Sequence, residues 1–216
     1  MYKRQNSNFG LYVDSSGLIT SGGNGTVSLT GIGGRGSNGG NNGIRLNTSG
    51  TAVTSGGSGA VTLTGTGGNG SNNSIGIVTF STISAGTGAT VTLNGTGGPD
   101  SGNDTNNGIT IATGGAVTAS NTVTLNAQPG ASSPTSPGIV SLGGVSTTNN
   151  SAIVVNSDSF DLRAGSSFNA GTGSLTMRPR TAGVSVNLGT ASTTSFGLSD
   201  IQIDQFTAGT LVIGSA

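Results

Sequence analysis

The stretch VTLTGTGGNG (residues 61–70) decides how this chain is read, because the chain writes it more than once. It occurs earlier as VSLTGIGGRG (27–36), later as VTLNGTGGPD (91–100), and in part as VTLNAQPGAS (123–132). At the start of each copy, apolar residues alternate with Thr, Ser or Asn. A period of two is the signature of a strand with one buried face. Gly, Asn and Ser fill the segments that follow.

Two other phrases recur in fixed order with it. A short strand follows Gly in GLYV from Gly10, GIRL from Gly43, GIVTF from Gly76, GITI from Gly108 and GIVSL from Gly138. Those glycines lie 33, 33, 32 and 30 residues apart. A second apolar piece centres on Ile19, Val53, Ile83, Val117 and Val145. The alternating strand is the third, at Val27/Leu29, Val61/Leu63, Val91/Leu93, Val123/Leu125 and Ile153/Val155. A shorter unit then brings Phe160/Leu162, Phe168 and Leu175/Met177. The pairs Asn41-Asn42, Asn72-Asn73 and Asn106-Asn107 precede the first phrase. Asn tolerates left-handed backbone angles, so these pairs are expected to be turns. No stretch carries the sustained i, i+3, i+4 spacing of a helix.

One repeat cannot fold alone. Its few inward aliphatics do not offset the entropy of ordering so long a segment. Stacking like strand on like strand supplies both the missing contacts and the backbone partners. The expected fold is therefore all-β: a parallel β-helix, or β-solenoid, of six to seven coils with three short strands per coil. The crossover rule makes it right-handed. Residues 6–157 are read as repeats of about 30–34 residues, and 158–216 as shorter coils that continue the same β-helix within a longer array. An antiparallel β-sandwich is the alternative, and it predicts hairpins between dissimilar strands. Residues 1–5, MYKRQ, match no repeat. Back-translated, they fit one frame of a transposon sequencing adapter, and they are expected to be foreign to the repeat protein.

Composition narrows the chemistry. Gly accounts for 42 of 216 residues without a three-residue period, which excludes collagen. Charged residues are 6%, and the formal net charge is zero. The arginines are scattered, and no basic run is interleaved with aromatics, so no nucleic-acid partner is expected. No apolar stretch is long enough for a transmembrane helix, and no membrane contact is expected of this segment.

There is no His, Cys or Glu. That removes Ser-His-Asp and Cys-His triads and the usual zinc ligands. Asp is the sole side-chain acid. Asp158 and Asp161 lie three apart in NSDSFDLRAG, beside Arg163. On a strand that spacing puts them on opposite faces, against a catalytic pair. Asp200 and Asp204 in SDIQIDQF would share a face if extended, as a glycosidase pair requires, but spacing alone assigns them no role. Asp100 and Asp104 in GGPDSGNDTNNG offer oxygens for a weak calcium site, although the tandem calcium β-roll motif is not matched. The outward positions Thr26/Ser28/Thr30, Ala60/Thr62/Thr64, Thr90/Thr92/Asn94 and Thr122/Thr124/Asn126 would stack into a hydroxyl-rich face. Regular Thr arrays of that kind bind ice, which makes an ice-binding solenoid one alternative. A polysaccharide-active β-helix enzyme is the other. No catalytic, cofactor-binding or metal-binding residue is assigned, and no enzyme activity or cofactor is expected.

The C-terminal stretches GSLTMRPRTAGVSVNLGT (173–190) and GLSDIQIDQFTAGTLVIGSA (197–216) carry the most specific resemblance. With the repeats before them, they resemble passenger regions of filamentous-haemagglutinin-like and related β-strand-repeat adhesins of bacteria. That resemblance implies secretion to the outer surface, a long rod and a role in attachment. The chain is then a stalk segment whose partners are neighbouring repeats, a carbohydrate, or a protein of a host or partner surface.

Overall fold

The computed structural model describes residues 7–36, 39–70, 73–99, 105–131 and 135–214. Three parallel sheets run the length of the molecule. The first stacks β1 (Leu11–Val13), β4 (Ile44–Leu46), β7 (Ile77–Thr79), β10 (Ile109–Ile111), β13 (Ile139–Ser141) and β16 (Phe160–Leu162). The second stacks β2 (Leu18–Thr20), β5 (Ala52–Ser55), β8 (Thr82–Ala85), β11 (Ala116–Ala119), β14 (Gly144–Thr147), β17 (Ser167–Asn169) and β21 (Phe206–Thr207). The third stacks β3 (Val27–Ile32), β6 (Val61–Thr66), β9 (Val91–Thr96), β12 (Val123–Gln128), β15 (Ile153–Asn156), β18 (Ser174–Arg178) and β22 (Thr210–Ile213). Each coil contributes one strand to each sheet. The fold is a parallel β-solenoid, and the sandwich alternative falls because like strand pairs with like.

The register is the one the repeats dictate. Val27, Val61, Val91, Val123, Ile153 and Leu175 form one interior column. Leu29, Leu63, Leu93, Leu125, Val155 and Met177 form the next. Burial alternates along β6 and β9, with every second side chain inside. A slip of one residue would turn each buried column out to solvent, so the pattern holds the register firmly. The second sheet adds Ile19, Val53, Ile83, Val117, Val145 and Phe168 in register.

The segment after each third-sheet strand is pinched. Gly33, Gly67 and Gly97 lie where a side chain would collide with the backbone carbonyls of Asn41, Ser74 and Asn106, at 2.1, 2.0 and 1.9 Å. In each coil the outgoing chain then bonds back to that coil's own start. Gly34 N donates to Asn8 O, Gly68 N to Asn41 O, Gly98 N to Ser74 O and Gly130 N to Asn106 O, at 2.6–2.8 Å. Backbone passes directly against backbone here, which only glycine permits. The Gly-rich phrase is thus a waist that closes each coil before the loop swings out.

The Asn pairs do different work from the expected turns. Of their described members, only Asn73 has a left-handed backbone, with φ 53°. Asn41, Asn42, Asn106 and Asn107 are buried. Their side chains bridge coils: Asn8 N donates to Asn41 Oδ1 (3.0 Å), Ile75 N to Asn42 Oδ1 (2.9 Å) and Ser74 N to Asn106 Oδ1 (2.8 Å). Asn72 lies outside the described residues. A buried amide N–H needs a partner, and at this corner an Asn of a neighbouring coil supplies it.

The C-terminal end departs from simple coiling. After β18 the chain makes an excursion through β19 (Val186–Leu188), β20 (Phe196–Leu198) and the one-turn helix α1 (Asp200–Ile203). It then rejoins the second and third sheets as β21 and β22. The first sheet gains no seventh strand. Phenylalanine replaces aliphatics here: Phe160 meets Phe196 edge-on at 4.9 Å, and Phe168 meets Phe206 edge-on at 5.7 Å. The sequence reading expected no helix. The turn forms because Ser199 and Gln202 make a reciprocal capping box and Gln202 is buried against Leu162 O.

Candidate functional site

The outer face of the third sheet carries three side-chain columns. The first reads Ser28, Thr62, Thr92, Thr124, Val154 and Thr176. The second reads Thr30, Thr64, Asn94, Asn126, Asn156 and Arg178. The third reads Ile32, Thr66, Thr96 and Gln128. β6 alone in this sheet carries Thr at both central outward positions. An ice-binding face needs that pairing repeated from coil to coil, and Asn and Arg break it.

The second column is bonded from Thr64 to Arg178. Asn94 Nδ2 donates to Thr64 Oγ1 (3.4 Å) and Asn126 Nδ2 to Asn94 Oδ1 (2.8 Å). Asn156 Nδ2 donates to Asn126 Oδ1, and Arg178 Nε to Asn156 Oδ1. Every amide points the same way, and a donor-only guanidinium ends the chain of acceptors. These side chains are half-buried by their neighbours above and below.

The start of the excursion turns this face into a groove of about 830 Å³. Its floor runs over the C-terminal halves of β6, β9, β12 and β15, and Arg178 to Gly183 close one end. Asp158 fixes that end. Its carboxylate accepts from Arg180 N (2.8 Å), Thr181 N (2.8 Å) and Thr181 Oγ1 (2.7 Å).

The other sequence candidates are not brought together. Asp161 faces outward on β16 and is paired with Arg163 at 2.6 Å, while Asp158 binds the excursion loop. Asp200 opens α1 and Asp204 caps it, so the stretch is helical where an extended one had been considered, and both side chains are exposed. Asp100 and Asp104 lie outside the described residues. Among the described residues, no three His, Cys, Asp or Glu side chains cluster as metal ligands would.

At the opposite end of the molecule, Arg45 lies between the rings of Phe9 and Phe80, at 5.9 and 5.2 Å from their centroids. Tyr12 stacks on Phe9 and donates to Asp14 at 2.8 Å. That bond, with others from Ser15 N and Asn47, holds the Asp14 carboxyl below its usual value; it also raises Tyr12.

The chain matches no family, no curated protein and no solved structure. The site therefore has to be read from its own chemistry. Along the sequence the arginines look scattered, and Asn94 and Asn126 stand on the outward face only as exceptions to a Thr array. One signal could have found them. In VTLN (91–94), VTLN (123–126), IVVN (153–156) and LTMR (175–178) the polar residue follows the second inward residue in each copy.

Proposed function

We propose that this chain is a non-catalytic stalk segment of a secreted bacterial surface adhesin, one that projects and presents a binding face outside the cell. The observation that carries the proposal is the uninterrupted in-register stacking of three parallel sheets. Such a stack gains length by adding coils at about 4.8 Å each, so distance from the cell is built simply by repetition. The resemblance of residues 173–216 to β-strand-repeat adhesins favours the same reading.

The chemistry is consistent with a presenting role. His, Cys and Glu are absent from the sequence, and Asp158 and Asp161 are engaged in loop anchoring and ion pairing. The test is attachment. The chain is displayed on a non-adherent laboratory bacterium, and cells retained on glass and on animal and plant cell layers are counted. A gain in retention on at least one surface is expected. Retention equal to the undecorated strain on every surface, with the chain shown to be displayed and folded, refutes the proposal.

A further inference from the structure

The groove over the third sheet has a chemistry that the scaffold does not require. Outward strand positions are well served by Thr or Ser. Here three successive coils place Asn at one register position, and the next places Arg. An amide side chain has two N–H donors and two carbonyl lone pairs. The column consumes one of each at Asn94 and Asn126. Each keeps one donor and one acceptor, and these asparagines line the groove at coil steps of about 4.8 Å.

A sugar hydroxyl is itself both donor and acceptor. A chain of pyranose rings laid along the axis meets a complementary partner at each step. From β6 to β18 the floor extends about 19 Å, the reach of a polymer segment and not of one small molecule.

The closed end adds charge. Among the described residues the one ion pair is Arg163 with Asp161, so Arg178 and Arg180 have no carboxylate partner there. Asp158 is turned to the loop backbone, with three donors of residues 180 and 181 on its oxygens. A guanidinium presents a planar fork that matches a carboxylate in two bonds.

We propose that this groove binds a linear acidic polysaccharide, its hydroxyls on Asn94, Asn126 and Asn156 and a uronate carboxylate on Arg178 and Arg180. The proposal names the ligand class of the presenting face and rests on the reading of the chain as a binding segment.

The experiment is calorimetric titration of the full chain with oligomers of polygalacturonate and alginate. Dextran serves as a neutral comparator and heparin as a sulfated one. Saturable binding to a uronate chain is expected, at least about tenfold tighter than to either comparator. It should weaken as NaCl rises from about 50 to about 500 mM. Arg178→Gln with Arg180→Gln should cost at least about tenfold. Arg35→Gln, which removes an exposed arginine elsewhere, should cost nothing. Thr96→Tyr keeps both arginines and the Asn column but fills the floor, and it should abolish binding with an unchanged circular dichroism spectrum. The proposal is overturned if the folded chain binds neither uronate polymer, if dextran or heparin binds as tightly, or if Thr96→Tyr binds like the parent. A reducing-sugar assay on the same mixtures separates the two readings. Sugar release with binding intact removes the non-catalytic reading and keeps the groove. No binding and no release removes the groove and leaves the stalk.

Discussion

Gly76→Ala tests whether the glycine that opens each first-sheet strand is required by close backbone packing between coils. A methyl carbon at Gly76 would sit 2.4 Å from Thr96 N, 2.5 Å from Gly108 O and 2.8 Å from Gly65 O. All three are backbone atoms, on three sides, so no side-chain rotation relieves the contact. Clearing Gly108 O to van der Waals distance moves it by about 0.7 Å. Ile77 N donates to that same oxygen at 3.0 Å, and the displaced pair falls outside bonding range. Overpacking costs about 1–3 kcal/mol and a buried unpaired carbonyl about 1–3 kcal/mol. Alanine returns about 0.4–1 kcal/mol through the unfolded chain. The expected net loss is about 3 kcal/mol, which urea denaturation reads as a midpoint lowered by about 1 M or more. Gly56→Ala is the internal control. Its added carbon meets its nearest atom, Gly23 N, at 3.4 Å, an ordinary contact, so its midpoint should barely move. If Gly76→Ala unfolds at the parent midpoint, or if both variants fall together, close backbone packing is not what this glycine is there for.

Asn42→Ala should cost about 1–3 kcal/mol by stranding Ile75 N, whereas the outward Thr62→Ala should stay within about 0.5 kcal/mol; equal effects would show that the Asn bridge is dispensable. Stability should be flat between about pH 5 and pH 9, because the chain has no His and no Cys to titrate there. Asp14 is held below its usual value, so its contribution is complete above about pH 4 and lost as pH falls through the lowered value. Tyr12 is raised, so its contribution is complete below about pH 10 and lost as pH rises through the raised value. Melting temperatures across that range check the plateau, and Asp14→Asn should soften the acid side. Asp158→Ala removes the acceptor for three donors of residues 180 and 181, so trypsin should cut after Arg180 several-fold faster. An unchanged cleavage rate would mean that the excursion is held by its apolar contacts alone.

The repeat alone determines the solenoid. Three phrases in fixed order, each with period-two alternation, leave one economical way to bury Val61, Leu63 and their counterparts: like strand on like strand, in register. That inference is local and one-dimensional, so sequence suffices for it. It also legitimately dismissed catalytic triads, because a missing residue type is a fact of sequence alone. Tertiary structure decided everything that depends on which residues meet across coils. The Asn pairs look like turn formers by propensity, yet backbone N–H groups of the neighbouring coils draw Asn41, Asn42 and Asn106 into bridges. Asp200 to Asp204 alternate polar and apolar residues as a strand would, yet a capping box and a buried Gln202 close a helical turn. The groove is the clearest case. Asn94, Asn126, Asn156 and Arg178 are 22 to 32 residues apart along the chain, and only stacking sets them a strand's width apart in one bonded column. Sequence records each coil's own pattern. The site exists between coils, where hydrogen bonds join residues that no local propensity links.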